Sequence, residues 1–201
     1  MQMTTKNKIA QATKSLVVSD PFDHISVTSI MKTANLRRQS FYDYFHDKYD
    51  VLAWIYQTET DTAIKHCGNY RFWPQTLRRM LTYFVENHDF YRQLLPLDVQ
   101  NAPETIIKTH LQTMIGSIFV SMGEAEHIAI DTDYCRFLQR TLGDSLYASV
   151  DQWLTDPDPQ PMTTQYQFLR HYLEDGMNGL LMRSKQIKTY HRADDRNTEV
   201  G

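Results

Sequence analysis

The sequence predicts an all-α fold, a small N-terminal helix-turn-helix joined to a larger helical body. Three observations carry that expectation. Apolar residues recur at helical spacing through nearly every segment, as in Ile9, Ala12, Leu16 and Val17. Strand-like alternation is missing, and glycine and proline are few, at seven each in 201 residues. Two short apolar stripes near the N-terminus are separated by a single tight turn at Asn35.

The elements follow in order. The first helix is expected from about Thr5 to Ser19, stopped by Asp20-Pro21, because proline removes a donor and restricts the residue before it. Ser26 is a good N-cap for a second helix with Val27, Ile30, Met31 and Ala34 facing inward. Asn35 suits the sharp turn, since asparagine tolerates the left-handed conformation. A third short helix is expected over about 37–45, burying Phe41 and Phe45, and a fourth from about Asp47 to Lys65. Further helices are expected near 74–84, 90–95, 103–122, 132–154 and 163–184, with a loop at the Asp156–Pro161 run of prolines and aspartates. The polar, aperiodic stretch 189–201 reads as a disordered tail. Residues 1–50 form the expected helix-turn-helix unit and 51–188 the helical body.

Composition excludes more than it assigns. No apolar run approaches the roughly 18 residues of a membrane span, and no signal-peptide pattern opens the chain, so a cytoplasmic protein is expected. Cys67 and Cys135 make neither a disulfide framework nor a C-x-x-C metal motif. The Glu124-Ala125-Glu126-His127 run contains a Glu-x-x-His, but di-iron chemistry needs a second copy and two further carboxylates. No phosphate loop, His-Glu-x-x-His or G-x-S-x-G turn occurs, so neither an enzyme nor a cofactor or metal site is expected. Charge is uneven: residues 1–50 hold seven Lys/Arg against five Asp, +2, within a chain of net charge −3. The N-terminal segment therefore repels a polyanion less than the rest.

The 26–48 segment supplies what a DNA reader needs. Arg37 and Arg38 suit guanine edges and Gln39 suits adenine, while Ser40, Tyr42 and Tyr44 offer hydroxyl or apolar contacts. Lys48 is placed to hold a phosphate. An isolated Arg-Arg pair is more often a solvated surface; here its setting between two apolar stripes reverses that reading. Residues 9–52 resemble the DNA-binding domain of the TetR family of bacterial regulators. The resemblance rests on the runs Phe22–Ile30 and Leu36–Lys48, with Tyr42, the Phe45 anchor and the closing Lys48 in place. It implies that Thr28, Arg37, Gln39, Tyr42, Tyr44 and Lys48 meet double-stranded DNA. Asn35 replaces the family's usual glycine, and Met31 and Thr33 its usual alanines. The wording around Arg37–Tyr42, Asp47–Tyr49 and Trp54-Ile55 is most similar to the regulators of dihydroxyacetone kinase operons, some of which answer to a kinase-like partner protein.

The same resemblance implies a homodimer through the last two long helices. Gly143, Leu146, Val150, Trp153, Tyr172, Gly176, Gly179 and Leu180 are the expected interface, small residues allowing close helix approach. Packing within one chain is the competing reading. Met80, Phe84, His110, Met114 and Tyr134 are the candidate lining of an effector pocket, though helices bury such residues in ordinary cores as well. A small-molecule effector and a protein partner both stay open. So does a second class of function, a helical interaction module that has lost DNA binding.

Overall fold

The computed structural model describes residues 3–63, 68–95 and 103–198. Among them are eight α-helices and two 3-10 turns, and no strand. The helices are α1 (Thr5–Ser19), α2 (Val27–Thr33), α3 (Lys48–Ala63), α4 (Trp73–Glu86), α5 (His88–Leu94), α6 (Pro103–Glu126), α7 (Thr132–Thr155) and α8 (Met162–Thr198).

Local chemistry sets the head. The Thr4 hydroxyl caps α1 by accepting from the Asn7 amide, and the helix buries Ile9, Ala10, Ala12, Thr13 and Val17. Ser26 and Ser29 form a reciprocal capping box at the start of α2. Its end is equally well satisfied. Asn35 adopts φ 54°, its amide donates to Lys32 O, and the Leu36 amide donates to Met31 O at 2.9 Å. That paired pattern is the Schellman stop, for which glycine is the commoner residue.

The helix α3 ties head to body. Asp47 opens it, its carboxylate accepting from the Tyr49 and Asp50 amides at 2.8 Å each. On one side Trp54 meets Phe45 of the head edge-to-face; two residues on, and so on the other side, Tyr56 meets Tyr91 and His110 of the body. A boundary drawn at residue 50 therefore falls inside a continuous helix, and one apolar core runs through both parts.

In the body, α6 and α7 form the most intimate pair. A Cβ at Gly143 would lie 3.0 Å from the Gln112 backbone, so glycine is what lets these helices touch. The helix α8 crosses α4 and α7, locked at its start by the buried Gln165, which donates to Ser149, and by the Trp153 indole donating to Gln160 O. It continues to Thr198, past residue 189, where the sequence had suggested a disordered tail. No proline interrupts the chain after Pro161, and a helix already nucleated extends at little cost per residue.

Candidate nucleic-acid interface

The segment expected to read DNA is built on two buried rings. Phe41 is fully buried and Phe45 nearly so, their centroids 5.9 Å apart, and Trp54 packs behind Phe45. With those rings inward, the intervening and preceding side chains must face out. Arg37, Arg38, Gln39, Tyr42 and Tyr44 are all exposed, and Thr28 is exposed in the first turn of α2. Tyr42 is 58 % exposed, a large ring held edge-on to Phe41 and otherwise open to solvent.

The backbone of this segment differs from the expected 37–45 helix. Only Arg38–Phe41 is helical, as a 3-10 turn, followed by tight turns. Arg37 is extended and supplies no side-chain cap. The Ser40 hydroxyl and amide both donate to Arg37 O, at 2.7 and 3.1 Å, which favours the tighter turn over an α-helical start. Ser40 is half-buried, and its proton is spent on its own backbone.

Lys48, expected to hold a phosphate, is engaged within its own chain. Its ammonium donates to three carbonyl oxygens, Phe22, Asp23 and Ile25, at 2.8, 3.3 and 3.0 Å, and lies over the Phe22 ring. Burial pushes its pKa down, while Asp23 pulls it up. An ammonium has three protons, and all three are directed into the turn that joins α1 to α2. Lys48→Met is accordingly expected to destabilise the head by about 1–3 kcal/mol, the cost of stranding buried carbonyls. A thermal melt followed by circular dichroism checks this, and an unchanged midpoint would assign the lysine back to the DNA.

The expected effector residues divide. Met80, Phe84 and Met114 are core, at 0, 0 and 3 % exposure, because their stripe faces the helices packed around α4 and α6. Tyr134 stacks on Phe137 and accepts a hydrogen bond from Arg183. His110 reaches a cleft that Tyr134 does not line. It lies between α3 and α6, about 300 Å³, lined by Tyr56, Gln57, Thr60, Asp61, Thr105, Ile106, Thr109 and His110. The Tyr56 hydroxyl and His110 Nδ1 share a 2.7 Å hydrogen bond across it. Burial lowers the His110 pKa against the pull of Asp61. The other lining residues come from both helices, Gln57, Thr60 and Asp61 on α3 and Thr105, Ile106 and Thr109 on α6, a pairing readable only once the two helices are known to lie opposite each other.

The expected dimer residues are mostly internal. Leu146, Val150, Trp153 and Leu180 are buried within the chain, Gly143 faces Gln112, and Gly176 faces Leu142. Gly179 lies beside Arg183. Tyr172 alone of the set is exposed, at 40 %, and Phe168 (59 %) and Met182 (64 %) join it along α8, with Phe137 on α7. Gly143 and Gly176 serve packing inside one chain, and the exposed apolar side chains are the surface left over.

Residues 72–182, more than half of the chain, match the TetR-type family model described as "Transcriptional regulator C-terminal region". The chain is 37% identical over 94 residues to the HTH-type dhaKLM operon transcriptional activator DhaS of Lactococcus lactis subsp. lactis (strain IL1403). That match covers 47% of this chain and spans half the length of the relative. The dihydroxyacetone kinase operon activator DhaS superposes with a TM-score of 0.71 at 23% identity, over 89% of this chain and 99% of that one. NalD, the secondary repressor of the MexAB-OprM multidrug efflux pump in Pseudomonas aeruginosa, superposes at 0.61 with 16% identity, over 86% and 96%. These superpositions establish the fold. No helix among the described residues is long and apolar enough to cross a membrane. With the family match spanning its body, the chain belongs to the TetR family of transcriptional regulators, near the DhaS subgroup, and is not an enzyme.

Proposed function

We propose that this regulator works in the cytoplasm as a homodimer that reads a palindromic operator through residues 28–44, its output set by what occupies the body. The exposed set Arg37, Arg38, Gln39, Tyr42 and Tyr44, mounted over the buried Phe41 and Phe45, carries the reading. Guanidinium and carboxamide groups match the major-groove edges of guanine and adenine, and no ion pair with the described residues occupies either arginine. Thr28 approaches from the N-terminal end of α2, where a phosphate is favoured. The 1–50 segment is the reading unit, and 51–188 the sensing and pairing unit.

Selection from a randomised duplex pool tests this. The expected winner is a palindrome whose affinity falls steeply with salt, the signature of phosphate contacts. No enriched sequence, with or without cell extract, would return the chain to the interaction-module reading.

Pairing is assigned to the exposed apolar side chains of α8 and α7, Phe168, Tyr172, Met182 and Phe137. Symmetric copies would bury these together and double the sequence read. Phe168→Asp is expected to weaken the dimer by about 2 kcal/mol or more, roughly thirtyfold, without unfolding the chain. Sedimentation velocity reads the result directly, and an unchanged dimer would move the interface elsewhere. The signal is assigned to the α3–α6 cleft, whose volume suits a small molecule. The relative's description as an activator of a dihydroxyacetone kinase operon supports a promoter of that kind. Capture of a kinase-like protein by the immobilised regulator would move the signal from the cleft to a protein surface.

A further inference from the structure

The hydrogen-bond geometry points to a polar latch, centred on Glu59, that sets the angle of the DNA-reading head and reports the state of the α3–α6 cleft to it. The inference rests on the cleft and DNA-reading assignments above and adds how the two communicate.

The latch joins three elements at one carboxylate. Lys14 of α1 donates to both Glu59 oxygens at 2.8 Å and to Asn87 Oδ1 at 2.7 Å. Asn87 forms the α4–α5 corner and is fixed by its own donation to Tyr83 O. Lys14 is thus gripped by α3 and by the body at once. It is the point where the head's first helix is tied to both. Both partners are partly shielded, with Lys14 at 26% and Glu59 at 34% side-chain exposure.

Behind Glu59 the hydrogen bonds have a fixed direction. The Tyr83 hydroxyl donates to Glu59 Oε2 at 3.0 Å, and Tyr83 and Tyr91 share a 2.6 Å bond. A carboxylate only accepts, so Tyr83 gives its one proton to Glu59 and must receive from Tyr91. The ring of Tyr91 meets Tyr56 edge-to-face at 6.5 Å, and Tyr56 is the residue bonded to His110 in the cleft. Burial raises both Tyr83 and Tyr91 pKa values, which keeps the hydroxyls neutral. An occupant that displaces Tyr56 must shift the Tyr91 ring packed on it, and Tyr91 holds the donor side of the latch.

A two-part experiment on the full-length protein tests the device. Glu59→Gln, Tyr91→Phe and His110→Gln are compared singly and in pairs. On DNA-free protein, hydrogen exchange of the α1 amides reads the grip on the head; Glu59→Gln and Tyr91→Phe are expected to speed it by about threefold or more. Affinity for the selected duplex is measured beside it. His110→Gln is expected to change that affinity by about threefold or more in the otherwise unaltered chain and to lose most of that effect in the Tyr91→Phe background, as coupled neighbours do. Independent multiplication of the effects, or unchanged α1 exchange in both latch variants, would overturn the latch while leaving DNA reading intact. If no duplex binds at all, the DNA-reading assignment fails, and the exchange arm still decides whether Glu59 holds the head. Tyr91→Phe removes one hydroxyl and keeps the ring, so the test survives should Glu59→Gln fold poorly.

Discussion

Arg37→Ala combined with Gln39→Ala is expected to abolish sequence-specific DNA binding while leaving the melting temperature where it was. Both side chains are exposed and neither supports the fold, so their loss removes recognition alone. Each good base contact is worth about 1–3 kcal/mol, and a dimer carries the change twice. Fluorescence anisotropy on the selected duplex reads the loss, and a scrambled duplex gives the non-specific baseline. Salt-dependent, non-specific association should persist, because phosphate contacts from the rest of the head remain. An unchanged specific affinity would mean that the exposed segment is not the reader, whatever the family resemblance implies.

Phe41→Ala is expected to act in the opposite way. Phe41 has no exposed surface and makes ring contacts with both Tyr42 and Phe45. Deleting a buried phenyl ring costs about 3–5 kcal/mol through lost burial and the cavity left behind. For a chain of this length, that is roughly 6–20 °C in the melting midpoint. DNA binding then disappears because Arg37 and Gln39 have lost their platform, although both are still present. The two variants together separate contact from support. If Phe41→Ala bound DNA normally and melted unchanged, the buried-ring account of the reading segment would be wrong.

Much of the head was legible from local chemistry. Pro21 stops α1, Ser26 caps α2, and Asn35 turns the chain into the next segment. Each of these effects acts within four residues, so neighbours in sequence suffice to predict it. The reading segment was less legible. Its apolar pair Phe41 and Phe45 fits an α-helix, yet Ser40's side chain takes the Arg37 carbonyl and a 3-10 turn results. Lys48 shows the same limit from the other side. Its type suited a phosphate, but its carbonyl partners lie 23 to 26 residues away and became visible only on folding.

The body divides along the same line. Helical periodicity located α4 to α7 closely, because a helix must bury a stripe wherever it packs. What each stripe packs against is a long-range matter. Leu146 and Phe168 are both large apolar residues at helical spacing, yet one is fully buried in its own chain and the other is 59 % exposed. Gly143 is small because α6 passes within 3.0 Å of where its Cβ would be, a fact about Gln112 rather than about a second copy. His110 is a polar group on an otherwise apolar stripe of α6, and its partner Tyr56 is 54 residues away on another helix. The amino-acid sequence alone determined most of the helices, the caps and turns of the head and the chemical character of the exposed 37–44 segment. Tertiary structure decided which apolar residues are core and which remain for a partner, where the cleft opens, and that Lys14, Glu59 and Asn87 meet. Those properties depend on which distant segments become neighbours, and local periodicity does not encode that.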